Sequence, residues 1–156
     1  MKGQGADGPA LIREAREDDL SHLAAMIDTL SAHHGATTTV GTRALMRDLL
    51  GPQPWAFARV AERDGKTAGY AISYPLYFAQ WGERGMHLHH LYIDPLHRGL
   101  GLGTQLTLAM IDLARALGCT YVSVTAEPDN VNAQRFYEGL GMRTSPVTGL
   151  RFAMDI

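Results

Sequence analysis

Arg98-Gly99-Leu100-Gly101-Leu102-Gly103 is the stretch on which the fold turns. Met86 to Ile93 before it reads as a strand, closed by Asp94-Pro95. Thr104 to Leu117 after it reads as a helix, with Leu106, Met110, Leu113 and Leu117 on one face and Gly118 as its terminator. Another strand follows at Tyr121 to Thr125, so the unit is strand, tight turn, helix, strand, which implies a parallel crossover. Glycines let backbone approach a ligand closely and take positive φ. The helix start offers N–H groups without intrahelical partners and the positive end of its dipole, so the turn suits a pyrophosphate. A dinucleotide fingerprint needs G-x-G-x-x-G, but the sixth position is Thr104 counted from Gly99 and Leu106 counted from Gly101. A Walker A loop needs Gly-Lys-Ser/Thr, which is absent. On the hexad alone, a merely flexible turn remains open.

Outward from this unit, Leu11 to Arg13 reads as a first strand. Asp18 or Asp19 is a candidate N-cap for a helix carrying Leu20, Leu23, Ala24, Ile27 and Leu30, ending near His33 before Gly35. A second helix starts at Thr42, with Leu45, Met46 and Leu49 on one face, and stops at Gly51-Pro52. Residues 55–63 and Thr67 to Tyr74 read as strands joined by the turn pair Asp64-Gly65, with Pro75 as a terminator or edge marker. Leu76 to Gly85 reads as a loop. Asp129 or Asn130 caps a short helix bearing Ala133, Phe136, Tyr137 and Leu140, and the tail offers short strands near 142–145 and 150–155. The order predicts an α+β (mixed α/β) domain, a mixed sheet with helices on both faces.

The chain has 156 residues, 46% of them hydrophobic, which suits one domain with a real core. The net charge of −2 comes from interspersed charges without a basic stripe, which argues against a nucleic-acid partner. No apolar run reaches about 18 residues, so no membrane span is expected. Residues 1–9 are Gly-rich and polar and read as a flexible N-terminal tail without the apolar stretch of a signal peptide, leaving 10–156 as a single domain and a cytoplasmic location as the expectation. Cys119 stands alone, so it forms no internal disulfide or cysteine zinc site, and it reads as core.

Leu91-Tyr92-Ile93-Asp94-Pro95 with Arg98 to Gly103 resembles motif A of the GNAT acetyltransferases, whose acyl-CoA loop is Q/R-x-x-G-x-G/A. Asn130, Ala133, Phe136-Tyr137-Glu138 and Gly141-Met142 resemble the family's motif B, with Met142 where a Phe is usual. The resemblance covers roughly residues 10–156 and is strongest over 86–142. It implies the GNAT fold: a mixed, twisted central sheet of roughly six to seven strands with about four helices, opening as a V between 86–93 and 121–125. It also implies acetyl-CoA as cosubstrate, with no metal. Arg98 and the backbone of Gly99, Leu100, Gly101, Leu102, Gly103 and Thr104 would bind the pyrophosphate. Leu91, Tyr92 and Ile93 would pair with the pantetheine arm, and Asn130, with Ala133 and Tyr137 of motif B, would serve the same cofactor. Homodimers are frequent in the family, so a homodimer is expected.

Acetyl transfer to an amine needs the amine deprotonated from a pKa near 10.4, an oxyanion donor, and a proton for the departing thiolate. From the family match, Tyr137 is the candidate acid; by spacing alone it reads as a core tyrosine on an apolar face. His87 and His89 share a strand face by the two-residue period and are the candidate bases, His89 ahead of His87. A strand bulge, common beside active sites, would change which histidine faces the substrate. His90 reads as structural or solvent-facing. Three close histidines also suggest a metal, but i, i+2 ligands without a third partner are a weak site. The His-Leu-His-x-Leu pattern of residues 87–91 resembles serotonin (arylalkylamine) N-acetyltransferase, while the Glu-Asp pair of polyamine acetyltransferases is replaced here by His89-His90. The oxyanion donor is expected in a backbone N–H near Tyr92 or Ile93.

Acceptor choice in this fold rests on the first two helices and variable loops, here 28–41 and 76–85. Tyr74, Tyr77, Phe78 and Trp81 read either as an amine pocket or as loop packing or a dimer interface. Glu127 and Asp129 read either as acidic attractors or as ordinary loop and cap residues. The expected function is acetyl transfer from acetyl-CoA to the primary amine of a small molecule by direct transfer in a ternary complex. Two rivals are a protein N-terminal or lysine acetyltransferase and a non-catalytic acyl-CoA-binding module.

Overall fold

The computed structural model describes residues 9–37 and 39–156, so most of the expected tail lies outside the described residues. The chain forms two compact units, one reaching to Thr125 and one from Ala126 to Ile156. In the first, β1 (Leu11–Glu14), β2 (Phe57–Arg63), β3 (Lys66–Phe78), β4 (Glu83–Ile93) and β5 (Tyr121–Val124) lie in that order in one sheet. The first three pairings are antiparallel and β4–β5 is parallel. This is the mixed sheet that the crossover demands. Its helices are α1 (Leu20–His33), α2 (Thr42–Leu45), which runs on into a single π turn at Met46–Leu50, and α3 (Leu102–Ala116). The second unit holds α4 (Val131–Gly139).

Two layers of helix sandwich the sheet. Leu20, Leu23, Met26 and Ile27 of α1 form one core with Leu45 and with Val60, Tyr70, Ile72 and Tyr92 of the strands. On the other side α3 packs on β2, β3 and β4. Its buried stripe is Leu102, Leu106, Met110 and Ala114, at the spacing of one helix face. The hairpin β2–β3 turns at Asp64 (φ 52°) and Gly65 (φ 74°), both left-handed as that turn pair requires.

The structure departs from the sequence reading at several places. β3 continues through Pro75 to Phe78, and β4 starts at Glu83, so the expected loop 76–85 shrinks to a short hairpin turn. Pro75 is tolerated because β2 stops pairing at Phe57↔Ser73, which leaves that side of β3 an open edge. α3 starts two residues earlier than expected, and Leu117 lies past its end, 37% exposed. Asp19 stands at the N-cap of α1, but its carboxylate does not cap it. The described sheet has five strands, not six or seven, because 142–145 and 150–155 run as irregular chain outside its ladder. A strand exists only through a paired neighbour, and Leu150, Phe152 and Met154 stay exposed.

Asp19 instead ties four segments together. It accepts from Arg13 Nη1 (2.7 Å) and Nη2 (2.9 Å), from the Arg16 N–H (2.7 Å) and from Thr67 Oγ1 (3.3 Å), while Arg13 Nε donates to Glu62 (2.7 Å). The Arg13 guanidinium holds the Asp19 carboxyl below the usual range, against the opposing effect of burial. An Asp19→Ala variant strands a nearly buried guanidinium and an N–H. It should lose about 3 kcal/mol of stability, read as a lower urea midpoint.

Candidate active site

The glycine turn is built by local rules. Asp94 accepts from the Leu96 N–H (2.9 Å) and caps a single 3-10 turn, Pro95–His97. Arg98 follows, its Nε donating to the Ile93 carbonyl (3.0 Å) and its guanidinium carbon 6.0 Å from the centroid of the Tyr92 ring. That bond anchors the base of the side chain and leaves the terminal nitrogens as further donors. Gly99 (φ 77°) and Gly101 (φ 80°) are both left-handed, and a Cβ on Gly99 would meet nothing within 4 Å. The turn therefore presents open backbone. Leu102, 2% exposed, pins the start of α3 into the core, so this residue reaches the site through backbone alone. Gly103 accepts from Thr107 Oγ1 (2.8 Å) inside the helix.

β4 leads into this turn, and it is irregular. Ile72 pairs with His90 but Ser73 pairs with Leu88, so His89 is an extra residue with no partner on β3. The bulge reverses the alternation. Before it, His87 shares a face with Tyr74, its cross-strand partner, while Met86 and Leu88 face the other way and are fully buried. After it, His90 and Tyr92 share the face of Ile72 and Tyr70. Strict alternation, which put His87 and His89 on one face, is corrected here: His90 takes the register place it assigned to His89. The parallel pairing with β5 ends at Leu88↔Val124, so from His89 to Ile93 β4 runs on without β5 beside it. Bulge and parting of strands coincide.

Four rings gather there. Tyr74 lies 5.0 Å from His87 and 5.6 Å from His89, and His89 stacks on His90 at 4.3 Å and 14°. His87 Nδ1 is 2.9 Å from Ser123 Oγ, and His90 Nδ1 is 3.2 Å from Tyr70 Oη. Burial lowers His87, helped by His89, and burial lowers His89 although it keeps substantial exposure. His90 is pulled down to about 4 by burial, then by His89 and His34. Burial raises the Tyr70 phenol. The three imidazoles are thus neutral at pH 7. His90 is held inside rather than facing solvent.

Asn130, Ala133 and Tyr137 come together on α4 in the second unit. Asn130 Oδ1 accepts from the Ala133 N–H (3.1 Å), so the asparagine is the N-cap and its amide nitrogen keeps its donors. The Tyr137 ring meets Phe136 edge-on at 5.0 Å, and burial raises its phenol above the usual range, so it holds its proton at neutral pH. Among the described residues, no three His, Cys, Asp or Glu side chains group as metal ligands. No helix among them is long and apolar enough to cross a membrane. Sequence reasoning missed Ser123, because its place opposite His87 depends on the parallel register, and His34, because only folding brings the end of α1 towards His90.

The described sheet has five strands and ends in a parallel pair, with a left-handed glycine turn at the start of α3. The chain belongs to the acetyltransferase (GNAT) family, whose profile matches residues 23–142, and it is an N-acetyltransferase. It is 29% identical over 143 residues to thialysine N-epsilon-acetyltransferase of Sus scrofa, covering 85% of this chain and 84% of that protein. It is 31% identical over 155 residues to L-methionine sulfoximine/L-methionine sulfone acetyltransferase of Pseudomonas paraeruginosa, covering 92% and 87%. In fold it is similar to an aminoglycoside acetyltransferase from an uncultured soil metagenomic sample, in complex with trehalose. The TM-score is 0.79 at 20% identity over 97% of this chain and all (100%) of that one.

The low affinity of His90 for protons makes stability depend on pH. The unfolded chain binds a proton near pH 6.5 that the folded chain refuses until about pH 4. Stability is complete above pH 6.5 and falls as pH drops through that window, by on the order of 2 kcal/mol after allowing for partial exposure. Urea unfolding at pH 7 and pH 4.5 should show the loss, and a His90→Gln variant should lessen it, leaving the smaller share of His87 and His89.

Proposed function

We propose that this enzyme moves an acetyl group from acetyl-CoA to the primary amine of a small molecule, directly, in a ternary complex. The observation that carries the reading is the cluster of neutral imidazoles at the point where β4 leaves β5, on the strand that ends in the glycine turn. The chain's donors suit acetyl-CoA. The left-handed turn and the first N–H groups of α3, with Arg98, suit a pyrophosphate. The unaccompanied edge of β4 over Leu91, Tyr92 and Ile93 suits the amide groups of the pantetheine arm. The small-molecule assignment is supported by the names of the relatives, which specify thialysine and methionine sulfoximine or sulfone.

When bound, acetyl-CoA supplies an acyl group activated as a thioester. The chain's own residues manage the protons. His87 or His89, neutral at pH 7, accepts the proton of the incoming ammonium on a free ring nitrogen, directly or through water. A backbone N–H near Tyr92 or Ile93 offers the hydrogen bond that a developing oxyanion needs. Tyr137 Oη keeps a proton available for the leaving sulfur. As the resemblance to motif B implies, Asn130 and Ala133 would serve the same cofactor. We take residues 10–156 to act as one catalytic domain in the cytoplasm, as length and composition suggest, and as a homodimer, as the family resemblance implies.

Release of free CoA, followed with a thiol reagent across arylalkylamines, polyamines, aminoglycosides, amino acids and short peptides, tests this. Turnover is expected with a small-amine class. Tight acetyl-CoA binding without turnover on any amine would favour a binding module instead. Tyr137→Phe should lower kcat by about 100-fold with acetyl-CoA binding intact, and full activity in that variant would remove the acid. The rate should fall on the acid side with a midpoint below pH 6.5, because burial lowers both candidate bases from the ordinary histidine value.

A further inference from the structure

We propose that Ser123 is a positioning residue for His87: its hydroxyl accepts a hydrogen bond from Nδ1–H and fixes the tautomer whose Nε2 carries the lone pair. This rests on the reading of His87 as a base. His87 and Ser123 are directly opposed in the β4–β5 register, one rung before the last. The Nδ1–Oγ distance is 2.9 Å, and both residues are half-buried. Tyr74 flanks the ring from β3 at 5.0 Å. The imidazole is thus held between two strands, with one nitrogen committed.

In a neutral imidazole one nitrogen donates and the other accepts, so the partner of Nδ1 decides what Nε2 can do. If the serine accepts from Nδ1–H, Nε2 is free to take a proton from an ammonium. If the serine donates to Nδ1, Nε2 carries hydrogen and cannot act as a base. The other two histidines lack this arrangement. His90 spends its Nδ1 on Tyr70, and His89 is held by ring contacts with Tyr74 and His90. Of the three imidazoles, only His87 has a hydroxyl partner on the strand that lines the far side of the opening. The titratable groups facing His87 are Tyr74 on β3 and His89 on its own strand, with His90 stacked on His89 and His34, after α1, acting on His90.

The direction of one pKa change discriminates the two hydrogen-bond polarities. A hydroxyl that accepts from Nδ1–H favours the imidazolium, so removing it lowers the His87 pKa. A hydroxyl that donates favours the neutral ring, so removing it raises the pKa. The test is nitrogen NMR of the histidine rings in the full chain, with no ligand. Wild type should show His87 protonated at Nδ1 and bare at Nε2. Ser123→Ala should lower its titration midpoint by about half a pH unit to one, and Ser123→Thr should restore it. With the amine that turns over, Ser123→Ala should lower kcat about tenfold and move the acid limb down, with KM for acetyl-CoA unchanged. An Nε2–H tautomer in wild type, or an unchanged or raised midpoint in Ser123→Ala, overturns the proposal. A His87→Gln variant separates the two ideas. Full activity with the acid limb intact removes the base reading and this proposal with it. Lost activity in that variant, alongside a bare Nε2 in wild type and an unchanged midpoint in Ser123→Ala, leaves the base and removes only the role of Ser123.

Discussion

The extra residue at His89 is the constraint on which the site depends. A β-strand has a period of two, so one unpaired residue moves every later side chain to the opposite face. Upstream, Met86 and Leu88 are buried on one side while His87 faces the other. Downstream, Tyr92 enters the core built with α1, alongside Tyr70 and Ile72. Without the bulge, Tyr92 would turn away from that core and His90 from Tyr70. The packing of α1 and the clustering of the histidines are therefore two outcomes of one backbone irregularity.

The same irregularity sets the electrostatics. Imidazoles brought together where the sheet is only partly covered lose water, and loss of water disfavours the charged ring. His90, innermost and stacked on His89, is affected most. Its bond to Tyr70 secures a polar atom that burial would otherwise leave unpaired. His87 and His89 keep more contact with solvent and sit closer to the ordinary histidine range, where a group can both take and return a proton. One strand thus carries His90, bonded to Tyr70, beside two more accessible imidazoles.

Much of this was legible in the sequence where short-range chemistry dictates structure. The glycine turn, the Asp64-Gly65 hairpin and the Asn130 cap all follow from local backbone demands. The bulge was foreseen as a contingency but could not be positioned, because His87 to Tyr92 contains no Gly or Pro to mark it. Tyr74 was visible as an aromatic near the histidines, whereas Ser123 became visible only through the β4–β5 register. The expected loop 76–85 is a strand pair because Pro75 sits on an edge, a property of the neighbour's length and not of the proline. The tail alternates apolar residues convincingly at Leu150, Phe152 and Met154, yet alternation gives only a face and cannot supply a ladder partner.

The edges of the sheet explain why the ring cluster sits where it does. β3 loses β2 after Ser73, and β4 loses β5 after Leu88. The two losses fall at the same rung, Ser73↔Leu88, on opposite sides of the β3–β4 pair. On one side of that line the pair is steadied by β5, with the Tyr121 ring against Phe78 at 5.0 Å and closed over Gly85, where a Cβ would collide with it. On the other side it is steadied by β2 and by the two helical layers. Tyr74, His87 and His89 lie at the crossover between these supports. There the backbone is held firmly enough to aim a side chain, while one strand edge remains free to receive a ligand.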